Sequence, residues 1–431
     1  MNQRMNRRTF VHHSVAAASA TLLLGSVPSC TTAPSRVRRK ISPNEKLNLG
    51  VIGTHNRAAE DIKGVQGENI VAICDIDTNY LDAAQRQFPG AKRYTDFRKL
   101  LEQNDIDAVV VGTPDHTHAV ATVAALRSGR HVYCEKPLTH TISEARVVMA
   151  ATRETGLVTQ MGNQIHATEH YRRVVEIVRS GALGAIREVH CWVDGAYENK
   201  PRPEGETVPP NLDYEQWLGP VEFQPYSKEY VPFKWRGWWA FGGGTLSDFC
   251  CHLTDLAFWA LDLKHPLTIE AEGPAVHQYC VPPWLIVRYE YAARADAPPV
   301  KVIWYSGKRP PITLPRWGNG VLFVGDKGML LTDYSRMKLL PEEKFQGFIP
   351  PAASIPKSVG HHQEWIDAIK TNGPTTCNFA YGGLLTEAGL LGNVAYRTGR
   401  KLEWDAQHIR AKNCPEAEQF IHHHYRPGWR I

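Results

Sequence analysis

The sequence lacks the features that mark disulfide-linked, zinc-binding and nucleic-acid-binding proteins. Beyond Cys30 it has eight cysteines with no C-x-x-C pair and no framework spacing, so we expect buried free thiols. No Lys/Arg-rich run follows residue 40, and residues 41–431 carry 42 basic against 44 acidic side chains, which argues against nucleic acid as a partner. The 431 residues, 43% apolar and 22% charged, suit a globular protein with two domains.

Residues 1–40 differ from the rest because they hold seven Lys/Arg and no acid. Arg7-Arg8-Thr9-Phe10 precedes an Ala/Leu-rich run at 15–24 that is too short to cross a bilayer. This pattern predicts an export signal and tether, and it resembles a twin-arginine signal, which carries folded proteins to the periplasmic side. Val27-Pro28-Ser29-Cys30 also resembles a loose lipobox. Cys30 is then either a lipidated membrane anchor or part of a plain cleaved signal.

Short apolar runs alternate with helical patterns between residues 41 and 165. The runs cover 47–53, 70–75, 108–114 and 131–135, with 158–166 as a last strand, and the helical patterns cover 77–88, 95–103, 116–128 and 143–155. Continuous apolar strands separated by helices predict a parallel sheet covered on both faces. We therefore expect an N-terminal Rossmann domain, a doubly wound parallel sheet that binds a nucleotide.

The first strand–helix turn is an incomplete dinucleotide fingerprint. In Gly53-Thr54-His55-Asn56-Arg57-Ala58 the first glycine of G-x-G-x-x-G is present, whereas His55 and Ala58 replace the second and third. We expect His55 to swing aside or contact phosphate, with Arg57 and the helix N-terminus attracting the pyrophosphate. Asp75 either binds the adenine ribose or is a strand-end turn residue. An acid at this position repels a 2′-phosphate, so NAD is favoured over NADP.

Two further motifs identify a family. Cys134-Glu135-Lys136-Pro137-Leu138 follows the fourth strand, and a Gly-Gly-Gly-x-Leu-x-Asp-x-x-x-His-x-x-Asp pattern runs from Gly242 to Asp255. In this order they resemble the glucose–fructose oxidoreductase/inositol dehydrogenase/MocA (Gfo/Idh/MocA) family over residues 46–405. The resemblance implies a homo-oligomer, dimer or tetramer, in which Lys136 hydrogen-bonds the reacting hydroxyl of a substrate.

The cofactor-binding candidates lie at the strand ends of the first domain. They are Gly53, His55, Asn56, Arg57, Asp75, Thr113, Pro114, His118, Glu135, Lys136 and Gln164. Gln164 and His166 occupy a crossing that faces cofactor and substrate in family enzymes, although His166 departs from the arginine-rich ending found there. We expect both to line the site.

The strands predicted after residue 166 mostly follow one another without helices. They cover 186–193, 267–280, 284–292, 299–306, 320–325 and 328–333. This order predicts a C-terminal α+β domain at 166–405 with a large, open, mostly antiparallel sheet, followed by a tail at 406–431 without an assigned role. Residues 199–237 are rich in Pro, Trp and Tyr and either close a core or form a carbohydrate platform. Arg236 and Trp238 are the substrate candidates of this region.

Helical spacing places four polar or aromatic side chains on one face of residues 242–259. They are Asp248, His252, Asp255 and Trp259, opposite an apolar face. Asp248 and His252 form either a surface ion pair or an active face, and the preceding glycines favour the second because they let a ligand approach. In that case His252 is the base, Asp248 either orients it or hydrogen-bonds a neighbouring hydroxyl, and Lys136 polarises the reacting oxygen.

A metal site is the weaker interpretation of the same residues. Asp248, His252, Asp255 and His361-His362 lack a further fixed ligand, which favours acid–base chemistry without a metal. The substrate-binding candidates are Lys136, His166, Arg236, Trp238, Asp248 and His252.

Three functions use these parts. The first is an NAD-dependent oxidoreductase that acts on a sugar or glycoside hydroxyl, with C3 singled out, and keeps its cofactor because no nicotinamide pool exists outside the cytoplasm. The second is a glycosidase that works by transient oxidation and elimination. The third is a non-catalytic sugar-binding lipoprotein that lost cofactor binding through His55 and Ala58.

Overall fold

The computed structural model describes residues 41–197, 201–295 and 297–431, which all belong to one compact unit. The predicted export signal, the tether and Cys30 lie outside the described residues. The eight remaining cysteines are free and buried, which confirms the sequence prediction. Within the described ranges, no helix is long and apolar enough to span a membrane.

The N-terminal part contains a parallel sheet flanked by helices. Its strands are β1 (Asn48–Ile52), β2 (Asn69–Cys74), β3 (Lys92–Tyr94), β4 (Ala108–Val111), β5 (His131–Glu135) and β6 (Thr159–Gly162). Its helices are α1 (Arg57–Val65), α2 (Thr78–Gln87), α3 (Phe97–Leu100), α4 (Asp115–Arg127) and α5 (Ile142–Thr155). The six strands are ordered β3-β2-β1-β4-β5-β6, which confirms the Rossmann fold. The short edge strand β3 has no apolar run, so the sequence does not predict it.

The second sheet has nine strands and is mostly antiparallel, as predicted. They are β7 (Ile186–Val193), β8 (Thr268–Glu272), β9 (Leu285–Tyr291), β10 (Val300–Ser306), β11 (Asn319–Gly325), β12 (Met329–Thr332), β13 (Met337–Leu340), β14 (Leu402–Asp405) and β15 (Arg410–Ala411). Their order is β13-β12-β11-β7-β10-β9-β8-β14-β15, and β7 and β10 pair in parallel. The strand predicted at 267–280 ends at Glu272, because Gly273 and Pro274 follow and proline has no amide proton for the ladder.

The remaining helices connect or cover the two sheets. They are α6 (Glu169–Arg179), α7 (Tyr214–Leu218), α8 (Gly244–Leu253), α9 (Asp255–Leu261), α10 (His361–Thr371), α11 (Phe379–Thr398) and α12 (Glu418–Ile421). The single helix expected over 242–259 is divided at Thr254 into α8 and α9. The Thr254 hydroxyl donates to the Cys250 carbonyl oxygen at 2.7 Å, a side-chain bond that bends helices.

Helix α11 joins the two halves of the fold because it packs on α5 and α8 at once. Two glycines permit this approach. A Cβ on Gly383 would lie 2.6 Å from Met149 of α5, and one on Gly389 would lie 3.2 Å from the Cys250 sulfur of α8. Helix α10 packs Trp365 on the apolar core of the parallel sheet. Helices α10 and α11, which come late in the sequence, thus pack on the first domain, and α11 also holds α8 beside it.

A buried carboxylate fastens α11 to α5. Glu387, 1% exposed, accepts hydrogen bonds from Arg146 Nη2 at 2.9 Å, His265 Nδ1 at 2.9 Å and Trp404 Nε1 at 3.1 Å. Burial alone would raise the pKa of Glu387, but the bonds from His265 and Arg146 outweigh burial and lower it. The carboxylate is therefore ionised and holds three elements together.

We expect Glu387→Ala to lower the free energy of unfolding by about 3–5 kcal/mol, because it leaves the Arg146 guanidinium without its buried partner. Urea unfolding measures this change. The matched control is Glu342→Ala, which breaks an exposed pair with Lys338 at 3.0 Å and should cost no more than about 0.5 kcal/mol. Equal losses in the two variants would contradict the role of Glu387.

Candidate active site

A cavity of about 500 Å³ lies at the carboxyl ends of the parallel strands. Gly53, Asp75, Thr113 and Lys136, which follow β1, β2, β4 and β5, contribute to its wall. The sheet order reverses between β1 and β4, and α/β proteins bind ligands at this point. The other wall comes from residues 212–217 and 231–236 and from Trp429.

The turn after β1 fits a dinucleotide despite its incomplete fingerprint. Gly53 has φ 86°, and a Cβ there would lie 2.9 Å from the Gly112 carbonyl oxygen, so glycine is required. A Cβ on Gly112 would lie 2.6 Å from the Ala58 Cβ, so α1 packs closely on the sheet with alanine in the third position. His55 stacks on Tyr80 with ring centroids 4.0 Å apart. Asn56 is the residue immediately before α1 and has φ 53°.

Asp75 is held rigidly at the cavity. One carboxylate oxygen accepts from the Thr54 amide at 2.8 Å and the Thr54 hydroxyl at 2.9 Å, and the other accepts from the Asp77 amide at 3.0 Å. Burial raises the pKa of Asp75, and these hydrogen bonds oppose the shift. A fixed acceptor at the end of β2 suits a ribose diol, which supports NAD in this cavity.

Arg57, Glu135 and Gln164 come together beside the cavity. Glu135 Oε1 accepts from Arg57 Nε at 3.1 Å and from Gln164 Nε2 at 2.5 Å. Asp61, which is fully buried and has no sequence signal beyond its place one turn after Arg57, contacts His362 Nε2 at 3.0 Å. Burial and the neighbouring Asp61 raise the pKa of Glu135 to about 7 against the opposing effect of Arg57. Arg57 Nη2 also lies 3.4 Å from Asp61 Oδ1, so the Arg57 guanidinium contacts two acidic side chains of the protein.

Lys136 meets Asp248 across the interface between the parallel sheet and α8. Lys136 Nζ lies 2.6 Å from Asp248 Oδ1, Arg236 Nε lies 3.3 Å from the same oxygen, and Tyr197 donates to Oδ2 at 2.9 Å. Burial would raise the pKa of Asp248, but Lys136 and Arg236 outweigh burial and hold that pKa well below its usual range. The carboxylate is therefore ionised near neutral pH and contacts the Lys136 ammonium directly.

Asn163, which the sequence pattern does not single out, orients His252, a role that the sequence analysis offered to Asp248. Its Nδ2 donates to the Cys251 carbonyl oxygen at 2.8 Å, so its Oδ1 faces His252 Nδ1 at 2.7 Å. Since Oδ1 only accepts, Nδ1 carries the proton and Nε2 keeps a lone pair. Burial, followed by the Lys136 charge, lowers the pKa of His252 to about 3. The imidazole is therefore neutral at physiological pH.

Five sequence candidates are not among the residues that line the cavity: Gln164, His166, Trp238, Asp248 and His252. Two of these, His166 and Trp238, are almost fully buried. His166 is 1% exposed, with Nδ1 2.9 Å from Asp255 Oδ2 and its ring stacked on Trp259 at 4.1 Å. Trp238, 4% exposed, donates from Nε1 to the Glu229 carbonyl oxygen at 2.9 Å. His166 Nδ1 and Trp238 Nε1 thus bind partners within the protein. Helical spacing therefore grouped Asp255 and Trp259 with Asp248 and His252 although they belong to a buried cluster.

Three tryptophans line the cavity, and none of them was among the sequence candidates: Trp217, Trp235 and Trp429. The Arg236 guanidinium lies 4.1 Å from the Trp235 ring centroid. The aromatics of residues 212–241 otherwise form a core of their own, which supports the packing interpretation for most of them. Arg236 itself lines the cavity and contacts Asp248, as expected of a site residue.

The loop after β4 contributes Thr113, Pro114 and a buried acid. His118 contacts the Thr113 carbonyl oxygen at 2.7 Å and the Pro137 carbonyl oxygen at 2.8 Å, so it ties two cavity loops together. Asp115, 4% exposed, also lines the cavity and was not among the sequence candidates. Burial raises its pKa to about 8, against the opposing charge of Arg236. Its only sequence signal is its place at the start of a helix after a strand.

Among residues 41–197, 201–295 and 297–431, no group of three or more His, Cys, Asp or Glu side chains is arranged to hold a metal ion.

Two sequence models of one oxidoreductase family match the chain. The first, described as an NAD-binding Rossmann fold, matches residues 47–163. The second, described as the C-terminal alpha/beta domain, matches residues 172–431.

The chain is also similar to curated dehydrogenases. It is 30% identical over 188 residues to inositol 2-dehydrogenase 4 of Saccharopolyspora erythraea, covering 41% of this chain and 54% of that protein. It is 29% identical over 198 residues to inositol 2-dehydrogenase of Salmonella typhimurium, covering 43% of this chain and 56% of that protein. The chain thus spans about half the length of these curated relatives.

Solved structures share the fold. WlbA dehydrogenase from Bordetella pertussis, in complex with NADH and UDP-GlcNAcA, has a TM-score of 0.61 and 17% identity and matches 84% of this chain and 100% of that chain. Levoglucosan dehydrogenase, in complex with NADH and L-sorbose, has a TM-score of 0.57 and 17% identity and matches 83% of this chain and 99% of that chain. With both family models matched, the chain belongs to the Gfo/Idh/MocA oxidoreductase family, with an NAD-binding Rossmann fold and a C-terminal alpha/beta domain.

Proposed function

We propose that the protein is an NAD-dependent oxidoreductase that acts on a hydroxyl of a sugar or glycoside, with C3 as the expected position. The observation that carries this proposal is the contact of Lys136 at the cofactor cavity with Asp248 of α8, 2.6 Å between Nζ and Oδ1. The curated relatives are named as dehydrogenases of a polyol, and the solved relatives include complexes with a sugar nucleotide and with L-sorbose.

The residues around this contact have separate roles in the proposed reaction. NAD, when bound, takes up the hydrogen and electron pair that leave the substrate carbon. His252 accepts the hydroxyl proton at Nε2, because Asn163 holds the proton on Nδ1. Lys136 donates to the reacting oxygen while Asp248 keeps its ammonium in place. Arg236 and Tyr197 stabilise the ionised Asp248.

We further propose that the protein acts on the exported side of the membrane and retains its cofactor. The support is the twin-arginine-like segment at residues 7–10 together with the lipobox-like segment that ends at Cys30. A cofactor without an external pool must be reduced and reoxidised in the same site. Redox-neutral turnover follows, either as exchange between a sugar and a ketosugar or as glycoside cleavage through a transient ketone. The family resemblance supports a dimer or tetramer.

The proposal predicts that the purified protein releases NAD on denaturation, and that adding a glycoside raises the absorbance of the reduced cofactor in the intact protein. Product analysis then gives the oxidised carbon. Aglycone release without net NADH would assign the redox glycosidase. Absence of bound nicotinamide after loading with NAD would leave only a sugar-binding protein.

We expect Lys136→Met and His252→Gln each to lower kcat by about 10²–10⁴-fold, because each removes a group that handles the reacting oxygen or its proton. NAD content, measured after denaturation, should change little in His252→Gln. The matched control, Lys338→Met, removes an exposed lysine of the second sheet and should keep full activity. Full activity of His252→Gln would eliminate it as the base.

We expect the buried Asp115 to make the stability of the protein depend on pH. Its pKa is raised from 3.8 to about 8, so the folded state keeps a proton that the unfolded state loses. Stability therefore falls as pH rises from about 4 to about 8, and Asp115→Asn should remove this loss, on the order of 1–5 kcal/mol at pH 8. Melting curves at pH 5 and pH 8 test this, with the exposed Asp105→Asn as control. A variant no more stabilised at pH 8 than at pH 5 would refute it.

A further inference from the structure

The C-terminal tail reaches the cofactor cavity. Trp429, which belongs to the tail at 406–431, lines the same cavity as Asp75 and Tyr80. The Arg98 guanidinium lies 4.8 Å from the Trp429 ring centroid, and the Phe97 ring lies 6.1 Å from it. An aromatic side chain from the end of the chain therefore forms part of the wall beside β2 and β3.

Specific polar contacts fasten this tail to the rest of the fold. Arg426 Nη1 contacts Glu215 Oε2 at 2.5 Å, and Arg426 Nε donates to the Gly219 carbonyl oxygen at 2.5 Å. Tyr425 donates to Glu144 Oε1 at 2.8 Å. The tail is thereby attached to α7 on one side and to the start of α5 on the other, immediately before the turn that leads to Trp429.

A tight turn connects the anchor to the tryptophan. Pro427 and Gly428 occupy its two central positions, Gly428 has φ 89°, and the Trp429 amide donates to the Arg426 carbonyl oxygen at 3.2 Å. Proline followed by a glycine with positive φ is the pattern of a type II turn. Because both central residues suit this turn, the position of Arg426 determines where Trp429 is presented.

Trp429 lies at the adenosine end of the cavity. Asp75 ends β2, where the adenine ribose binds in this fold, and Phe97 follows the neighbouring strand β3. Residues 211–213 cover the same end, since the Thr78 amide donates to the Asn211 carbonyl oxygen at 2.9 Å and the Asp213 amide donates to the Ile76 carbonyl oxygen at 2.9 Å. The tail thus completes a cover over the half of the cavity that faces away from Lys136.

We propose that Trp429 is a cofactor-binding residue that packs on the adenosine half of NAD, and that Arg426 is its positioning residue, so that the tail slows NAD release. This inference rests on the NAD-dependent function proposed above. Aromatic side chains hold nucleobases by stacking on their faces, which requires no particular base edge. The alternative is that Trp429 only covers apolar surface and contributes to folding.

The test compares the full chain with Trp429→Ala and Arg426→Ala, and uses Arg430→Ala, an exposed neighbour, as the matched control. Protein loaded with labelled NAD is diluted into excess unlabelled NAD, and the release rate is measured. We expect roughly 10- to 100-fold faster release from Trp429→Ala, as loss of one stacking contact implies. Arg426→Ala should change release in the same direction, and Arg430→Ala should behave like the wild type.

Nicotinamide mononucleotide separates binding from folding, because it lacks the adenosine half. Trp429→Ala should weaken NAD binding but leave the affinity for nicotinamide mononucleotide unchanged. Unchanged NAD release, or an equal loss for both ligands, would overturn the inference while the proposed function stands. If the wild type itself binds no NAD, the proposed function fails and this inference fails with it.

Discussion

The ion pair between Lys136 and Asp248 is the interaction on which the organisation of the site depends. It joins the end of a parallel strand to a helix of the second domain across 112 positions of sequence. Two charges held at 2.6 Å in a largely buried place need further partners, and Arg236 and Tyr197 supply them on the carboxylate. The pair therefore sets the distance between the cofactor cavity and the face of α8 that carries His252.

Close helix packing makes this contact possible. Helix α11 lies against both α5 and α8, and its glycines remove the side chains that would hold these helices apart. Glu387 then fixes α11 to Arg146 of α5 through a buried, ionised carboxylate. The geometry of the active site thus depends on a helix that contributes no residue to the cavity wall.

Burial and neighbouring charges also give the titratable groups of the site different protonation states. Asp248 remains ionised beside two cations, whereas burial raises the pKa of Asp115 to about 8 and that of Glu135 to about 7. His252 is kept neutral by burial and by the neighbouring Lys136. The site therefore combines an ionised carboxylate, Asp248, and a neutral imidazole, His252, with cavity-lining acids that hold their protons near neutral pH, and an acid–base reaction requires such a separation.

The sequence by itself determined the parallel sheet, the mostly antiparallel sheet, the free buried cysteines and the family, and it made Lys136, Asp248 and His252 the candidate catalytic residues. Apolar runs and local spacing carry this information, because the pattern of apolar residues within a strand or helix indicates which of its faces is buried. Only the tertiary structure decided which side chains meet. Asn163, Asp61, Asp115 and Trp429 lie beside partners far along the chain, and no local pattern identifies those partners. His166 and Trp238 share the residue types of a site, yet packing places them in buried clusters, because periodicity predicts that a face is covered but not what covers it.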